Sequence, residues 1–97
     1  PVLRCHGEAV NVEFADGVTV EAARAALTAA PGVVVMDDTE NKVYPMPGLL
    51  AGTDGTFVGR LRQDPTVPHG IAFWNVADQI RKGAALNAVQ IAQLLLP

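Results

Sequence analysis

Alternating apolar and polar residues near the start of the chain predict a half-buried β-strand. Val10, Val12 and Phe14 alternate with Asn11 and Glu13. Successive residues of a strand point to opposite faces of a sheet, so this alternation buries one face and leaves the other in water.

A helix with clear start and stop signals follows this strand. Thr19 is placed to act as its N-cap, and Glu21 lies in the first turn, where the helix dipole favours a carboxylate. Apolar residues recur at helical spacing from Val20 to Ala30, and the Pro-Gly pair at 31–32 ends the helix.

The middle of the chain carries strand and loop signals in turn. Residues 33–36 form a short, β-branched apolar run, which favours a buried strand over a helix. Residues 37–55 are rich in Asp, Asn, Pro and Gly and predict a loop. Residues 71–76 predict another strand, with Phe73 and Trp74 on opposite faces.

Residues 56–62 also show the two-residue period of a strand. The alternation predicts that Phe57, Gly59 and Leu61 face one way, and that Val58, Arg60 and Arg62 face the other way. Arg60 and Arg62 would then form a basic pair on one face. A solvated strand face or a subunit contact is a more common setting for such a pair than a phosphate site.

The last helix is predicted to begin at an Asp78 cap and to run to about Leu95. Apolar residues cover most of its circumference, and such a helix expects cover on more than one side. The order of elements is strand, helix, strand, loop, strand, strand, helix. This order predicts an α+β fold with a mostly antiparallel sheet and helices on one face.

Composition narrows the class of protein. A chain of 97 residues predicts one domain, spanning residues 1–97. Its charged fraction of 18% is below the usual quarter, which indicates that part of the surface is covered by something else. The net charge of −3 and the scattered basic residues argue against nucleic-acid binding. No apolar run approaches the roughly 20 residues that span a bilayer, so no membrane partner is expected.

The single cysteine and the first residue suggest where the chain belongs. One cysteine cannot form an internal disulfide, which fits a reducing compartment and predicts a cytoplasmic location. No secretory leader is visible. Pro1 in place of methionine leads us to expect a piece of a larger enzyme. No cluster of metal-ligating residues is apparent, so no metal site is predicted.

Few residues suggest chemistry on their own. Cys5 and His6 are neighbours on an extended segment, so their side chains should diverge rather than form a dyad. Cys5 is therefore interpreted as structural, and a lone histidine such as His6 is more often polar surface than a catalytic group. Gln79 alone would be an exposed first-turn glutamine. Asn87 lies on an apolar helix stripe and needs a partner, for which a structural hydrogen bond is favoured.

Four separate motifs nevertheless occur in a family's order, and through them nearly all 97 residues resemble the C-terminal part of aspartate-semialdehyde dehydrogenase. The motifs are Arg-Cys-His-Gly-Glu at 4–8, Asn-Val-Glu-Phe at 11–14, Val-Gly-Arg-Leu-Arg-Gln-Asp at 58–64 and Lys-Gly-Ala-Ala-Leu-Asn-Ala-Val-Gln at 82–90.

The resemblance implies a fold and two site residues. The fold would be that of the C-terminal domain of the glyceraldehyde-3-phosphate-dehydrogenase-like dehydrogenases, with residues 1–97 a fragment of the catalytic and dimerisation domain that includes the C-terminal helix. His6 falls on the family's general acid/base histidine. Gln79 matches the Asn or Gln that contacts the nicotinamide end of NADP.

The resemblance also implies an oxidoreductase activity. The enzyme converts β-aspartyl phosphate to aspartate semialdehyde with NADPH, in lysine, threonine and methionine biosynthesis. The nucleophilic cysteine, the substrate-binding arginine and the N-terminal nucleotide-binding domain would precede this chain. Because that domain would bind most of the NADP and the other groups lie upstream, we expect the isolated chain to be inactive. We also expect the chain to form a homodimer. Two alternatives remain: a fragment of N-acetyl-glutamyl-phosphate reductase, and a stand-alone, non-catalytic dimerisation module.

Overall fold

The computed structural model describes residues 2–96, which form four strands and three α-helices. In chain order the elements are β1 (His6–Glu13), α1 (Val20–Ala29), β2 (Val33–Val35), α2 (Pro47–Leu50), β3 (Thr56–Asp64), β4 (Gly70–Ala77) and α3 (Leu86–Leu95). A π-helical turn, Arg81–Ala85, precedes α3 directly. Among the helices of residues 2–96, none has the length and apolar character that crossing a membrane requires.

The strands form one sheet in the order β1-β4-β3-β2. The β1–β4 and β4–β3 pairs are antiparallel, and only the short β2 runs parallel to its neighbour β3. A parallel pair cannot be joined by a tight hairpin. The long segment between β2 and β3 provides the crossover. The predicted α+β class with a mostly antiparallel sheet is confirmed.

Helix α1 forms where the sequence predicts it. The Thr19 hydroxyl accepts a hydrogen bond of 3.1 Å from the backbone N–H of Ala22, and Glu21 lies in the first turn. The helix ends at Ala29, just before the Pro-Gly pair. Its apolar side chains line a small hollow above Ile71 and Phe73, so α1 packs on one face of the sheet.

The opposite face of the sheet carries the most deeply buried cluster. Cys5, Leu50 and Val76 are buried there, with Phe57 and Trp74 packed beside them. The segment before β3 covers this cluster. The indole N–H of Trp74 donates a 3.0 Å hydrogen bond to the carbonyl oxygen of Pro45 in that segment.

Helix α2 lies inside residues 37–55, for which the composition predicts a loop. It is only four residues long and begins with Pro47, whose fixed φ suits the first helical position. So short a helix shows no periodicity, which is why the pattern missed it. The longer helix α1 lies on one face of the sheet, as predicted, and the one-turn α2 lies on the other.

A β-bulge makes the predicted facing of residues 56–62 wrong. Gly59 pairs with Trp74 and Arg62 pairs with Ala72, so Arg60 and Leu61 share one position opposite the partner strand. Arg60 has a φ of +56°, and the extra residue shifts the alternation. Leu61 is buried and Arg62 is exposed as a result. Gly59 lies directly before the bulge, where a Cβ would collide with the Met36 carbonyl.

The last helix has the predicted cap and the predicted end. An Asp78 carboxylate oxygen accepts hydrogen bonds from the backbone N–H groups of Ile80 (2.9 Å) and Arg81 (3.3 Å), and α3 ends at Leu95. The π-helical first turn was not predicted. Within residues 2–96 most of the apolar surface of α3 lacks cover, since the exposed fractions of Leu94 and Leu95 are 85% and 80%.

Candidate functional site

A polar cavity of about 300 Å³ lies between the β1–β4 end of the sheet and the π-helical turn. It brings together the two site residues predicted from the sequence, although they lie at opposite ends of the chain. It does not include the basic pair, Arg60 and Arg62. Its lining consists of His6, Glu8, Thr56, Asn75, Ala77, Gln79, Lys82, Gly83 and Asn87.

His6 is the first residue of β1, and its backbone pairs with Ala77. Its side chain is exposed and faces the cavity, on the same side of the strand as Glu8. Cys5 points the other way, into the core cluster. The predicted divergence of Cys5 and His6 is therefore present, and the two side chains do not form a dyad.

Gln79 has one end of its amide already engaged. The side-chain Oε1 accepts a hydrogen bond of 2.8 Å from the backbone N–H of Cys5, 74 positions away in the sequence. This bond fixes which way the amide points. The Nε2 group keeps two hydrogen atoms that can be donated elsewhere.

Asn75 and Asn87 add amide groups to the cavity wall. The Asn75 Nδ2 donates to the Glu8 carboxylate at 3.1 Å, while its Oδ1 is buried without a hydrogen-bond partner in the described part of the chain. Asn87 Oδ1 accepts from the Lys82 Nζ at 3.4 Å, as expected for a polar residue on an apolar stripe. Lys82 also donates to the Gln90 Oε1 at 2.7 Å.

Asp78, next to Gln79, is the most connected side chain near the cavity. One carboxylate oxygen accepts from the Gly52 N–H at 2.7 Å and forms a 2.9 Å ion pair with Arg4. The other oxygen accepts the two helix N–H groups described above. The Gly52 hydrogen bond, the helix N–H groups and the Arg4 charge lower the pKa of Asp78 to about 2, although its burial opposes the change.

Cys5 combines burial with an unusual backbone. Its φ is +75°, a region that residues with a Cβ rarely adopt, and only 1% of its surface is exposed. Burial, followed by the nearby Asp78 carboxylate, raises the pKa of the Cys5 thiol. A thiol in this setting is a poor nucleophile, which agrees with its interpretation as a structural residue.

Sequence reasoning found the cap role of Asp78 but not its contacts with Arg4 and Gly52. Those partners are distant in sequence, and no local pattern links them. The structure also brings no three His, Cys, Asp or Glu side chains of residues 2–96 together as a metal site.

Comparisons with known proteins identify the family. Residues 1–82 match the family described as "Semialdehyde dehydrogenase, dimerisation domain". The chain belongs to this family. It is 54% identical over 96 residues to the aspartate-semialdehyde dehydrogenase of Synechocystis sp. and 50% identical over 96 residues to that of Prochlorococcus marinus. Each match covers 99% of this chain but only 28% of the relative.

Solved structures of semialdehyde dehydrogenases share the fold. The chain matches aspartate semialdehyde dehydrogenase II of Vibrio cholerae, solved in complex with ASA, with a TM-score of 0.88 and 40% identity. That match covers 97% of this chain and 27% of the solved one. The fold expected from the sequence resemblance is confirmed.

A second, larger cavity of about 640 Å³ lies on the other side of this dimerisation-domain sheet. Tyr44, Met46 and Trp74 line it together with the side chains of Arg60 and Arg62. The Arg60 guanidinium lies 5.6 Å from the centre of the Tyr44 ring, within the range of a cation–π contact. The two arginines thus reach the same surface, although the bulge changes how they do so.

Proposed function

We propose that the chain is the part of an aspartate-semialdehyde dehydrogenase that provides the acid/base histidine and the dimer interface. The whole enzyme would carry out the NADPH-dependent reductive dephosphorylation of β-aspartyl phosphate to aspartate semialdehyde, in the cytoplasmic biosynthesis of lysine, threonine and methionine. The observation that carries this proposal is the meeting of His6 and Gln79 in one polar cavity. The names of the relatives provide further support.

His6 has the properties that an acid/base group requires. Its imidazole reaches an open cavity, and histidine exchanges protons near neutrality. In the proposed reaction His6 gives a proton to, or takes one from, the oxygen of the reacting carbon. The buried Cys5 takes no part, so the nucleophile comes from outside these 97 residues.

The cavity residues fit the carboxamide end of a nicotinamide. Gln79 Nε2 is the free end of an amide that Cys5 orients, and it can donate to a carboxamide oxygen. Asn75 adds a buried side-chain oxygen that still lacks a donor among the described residues. NADP, when bound, supplies the hydride of the reaction. Gln79 would orient its nicotinamide end, and most of the cofactor would lie against the N-terminal domain.

The two apolar surfaces of the chain support two protein partners. The chain spans 28% of the length of its curated relatives, and the exposed face of α3 suits a nucleotide-binding domain of the same enzyme. The larger cavity, with its Tyr44, Met46 and Trp74 lining, suits a second copy of the chain. Sedimentation at tens of micromolar should therefore show self-association, and a clean monomer would contradict the dimer.

The deciding experiment is His6→Asn in the full-length protein. Asparagine keeps a polar, planar side chain but cannot exchange a proton, so the chemical step should slow by about 10²–10⁴ with little change in substrate affinity. His69→Asn is the matched control. His69 lies in the β3–β4 turn, with its Nδ1 3.2 Å from the Ala15 carbonyl oxygen. A loss below about tenfold for His6→Asn would remove His6 from the mechanism.

The isolated 97-residue chain provides a second test. We expect it to show no NADP reduction with aspartate semialdehyde and phosphate, because the proposed nucleophile and most of the cofactor site lie elsewhere. Turnover that persists through purification and rises in proportion to this chain alone would contradict the proposal.

A further inference from the structure

The two residues directly after β4, Asp78 and Gln79, contact the two residues directly before His6. Asp78 forms an ion pair with Arg4, and Gln79 accepts the backbone N–H of Cys5. The next position continues the series, because His6 pairs with Ala77 in the β1–β4 ladder. The peptide that carries the histidine is thus held at three successive residues.

The backbone at Cys5 shows that these contacts hold an unfavourable conformation. Its φ of +75° costs a residue with a Cβ free energy, and such residues persist only where their surroundings fix them. Here the surroundings are the buried thiol, the Gln79 hydrogen bond and the Arg4 ion pair. Strained residues of this kind cluster at functional sites. Cys5 directly precedes the candidate acid/base.

Asp78 makes more hydrogen bonds and ion pairs than a helix cap requires. A cap requires only that the side chain accept from the first turn, which its Oδ1 does through Ile80 and Arg81. The other oxygen holds Gly52, in the loop before β3, and Arg4. One carboxylate with no exposed surface thus joins three segments around the cavity.

We propose that Asp78 is a positioning residue for His6: through Arg4, and alongside the Gln79 contact to Cys5, it fixes the peptide on which the histidine stands. This inference rests on the proposed role of His6 as the acid/base. Asp78 itself is not among the residues that line the cavity. Its effect is to keep the imidazole where the proton has to be exchanged.

The first test is Asp78→Asn in the full-length protein. We expect kcat to fall about ten- to a hundredfold, because small displacements of a catalytic group have effects of that size, with KM changed less than about threefold. Asp64→Asn is the matched control. Asp64 is also buried, but its partners are Thr66 and Asn11, away from the cavity. Asp64→Asn should leave kcat unchanged in protein that is still folded.

The double variant separates positioning from general damage. If Asp78 acts through His6, Asp78→Asn combined with His6→Asn should be no slower than His6→Asn alone. Losses that multiply would overturn the proposal, because they would show that Asp78 acts independently of the histidine.

A variant at Arg4 covers the case in which Asp78→Asn does not fold. The Arg4 side chain is 43% exposed, and its replacement leaves the cap and the Gly52 contact in place. Arg4→Gln should lower kcat about three- to tenfold, and Arg4→Lys should recover most of that loss. Arg81→Gln, which breaks the more exposed ion pair with Asp54, is the control and should have no effect.

The outcomes distinguish this inference from the proposed function. If His6→Asn slows the reaction and folded Asp78→Asn or Arg4→Gln does not, positioning by Asp78 is wrong while the role of His6 stands. If His6→Asn itself has no effect, the proposed acid/base role fails, and the positioning proposal fails with it.

Discussion

A buried aspartate lies at each end of β4, but the two carboxylates do different things. Asp64, beside the start of β4, accepts from the Thr66 hydroxyl and N–H and from the Asn11 amide. These partners belong to its own turn and to the nearby strand β1. Asp78, directly after β4, reaches Arg4, Gly52 and the first turn of the last helix.

Two carboxylates that are buried to a similar extent thus have different structural roles. At the Asp64 end, the carboxylate satisfies polar groups of its own turn and of the adjacent strand β1, and its removal should affect that local region. At the Asp78 end, one carboxylate contacts Arg4, Gly52 and the helix start together. The cavity with His6 is formed at this second end, where segments distant in sequence must be held together.

The largest effect should be the loss of pH-dependent stability in acid when Asp78 is replaced. Because the folded-state pKa of Asp78 is about 2, below its ordinary 3.8, its stabilising contribution is complete above 3.8 and is lost as the pH falls toward about 2. Asp78→Asn should lower the unfolding midpoint near neutral pH and flatten its pH dependence in this window. Urea titrations followed by circular dichroism between about pH 5 and about pH 2 would measure both effects.

Asp64→Asn sharpens this comparison. The Thr66 hydroxyl, the Asn11 amide and the Thr66 N–H lower the pKa of Asp64, so its contribution has the same sign. Within residues 2–96 Asp64 forms no salt bridge, and the Arg62 charge is the last of the causes that lower its pKa, so we expect less flattening than for Asp78→Asn. Equal flattening by the two variants would contradict the distinction between the two ends.

Gly70, at the Asp64 end, and Gly83, at the Asp78 end, should differ in how an added methyl group affects stability. A Cβ on Gly70 would lie 2.7 Å from the Asp64 Cβ and 2.5 Å from a Val67 methyl, whereas a Cβ on Gly83 meets nothing closer than 3.6 Å. Gly70→Ala should therefore destabilise the fold by about 1–3 kcal/mol through overpacking. Gly83→Ala should be neutral or slightly stabilising, because alanine suits a helical turn better than glycine.

Urea unfolding of both glycine variants would measure this difference. A Gly83→Ala protein as unstable as Gly70→Ala would mean that the π-helical turn is packed more tightly than these distances indicate.

The smallest effect concerns the strain at Cys5. In the middle of a helix or strand, glycine is less stabilising than alanine by about 0.5–1 kcal/mol. At a φ of +75° the stability advantage of alanine over glycine should disappear or reverse, since glycine adopts this region without penalty. Cys5→Gly should therefore be at least as stable as Cys5→Ala, although both lose the buried sulfur. An alanine variant more stable by the usual amount would show that Cys5 carries no strain.

Local signals in the sequence predicted the longer regular elements. Thr19 and Asp78 cap helices where the pattern placed them, and the Pro-Gly pair follows the end of α1. Such signals act within a few residues, so a single sequence reveals them. The alternation in β1 was also sufficient, because half-buried Val10 and Val12 face away from exposed Asn11 and Glu13.

The features that escaped prediction depend on partners far along the chain or on too few residues. The bulge at Arg60 interrupts a two-residue alternation, and the Arg60 N–H donates to an Asp37 carboxylate that no local pattern identifies. The contacts of Asp78 with Arg4 and Gly52 are likewise non-local. Helix α2 has four residues, barely more than one helical turn, and is too short for a helical pattern to repeat. His6 is a candidate as a titrating side chain, but its role as the acid/base, like the role of Gln79, rests on the family resemblance.

The pairing of β1 with β4 also affects synthesis of the chain. Among residues 2–96, β1 lies at the sheet edge and pairs with β4 alone, so residues 6–13 lack this partner until residues 70–77 have left the ribosome. Closing so long a loop makes this a late step, because its entropy cost comes before any contact offsets it. Until then, the segment that carries His6 is not paired with β4. Translation thus places the histidine in the sheet only after residues 70–77 have been made.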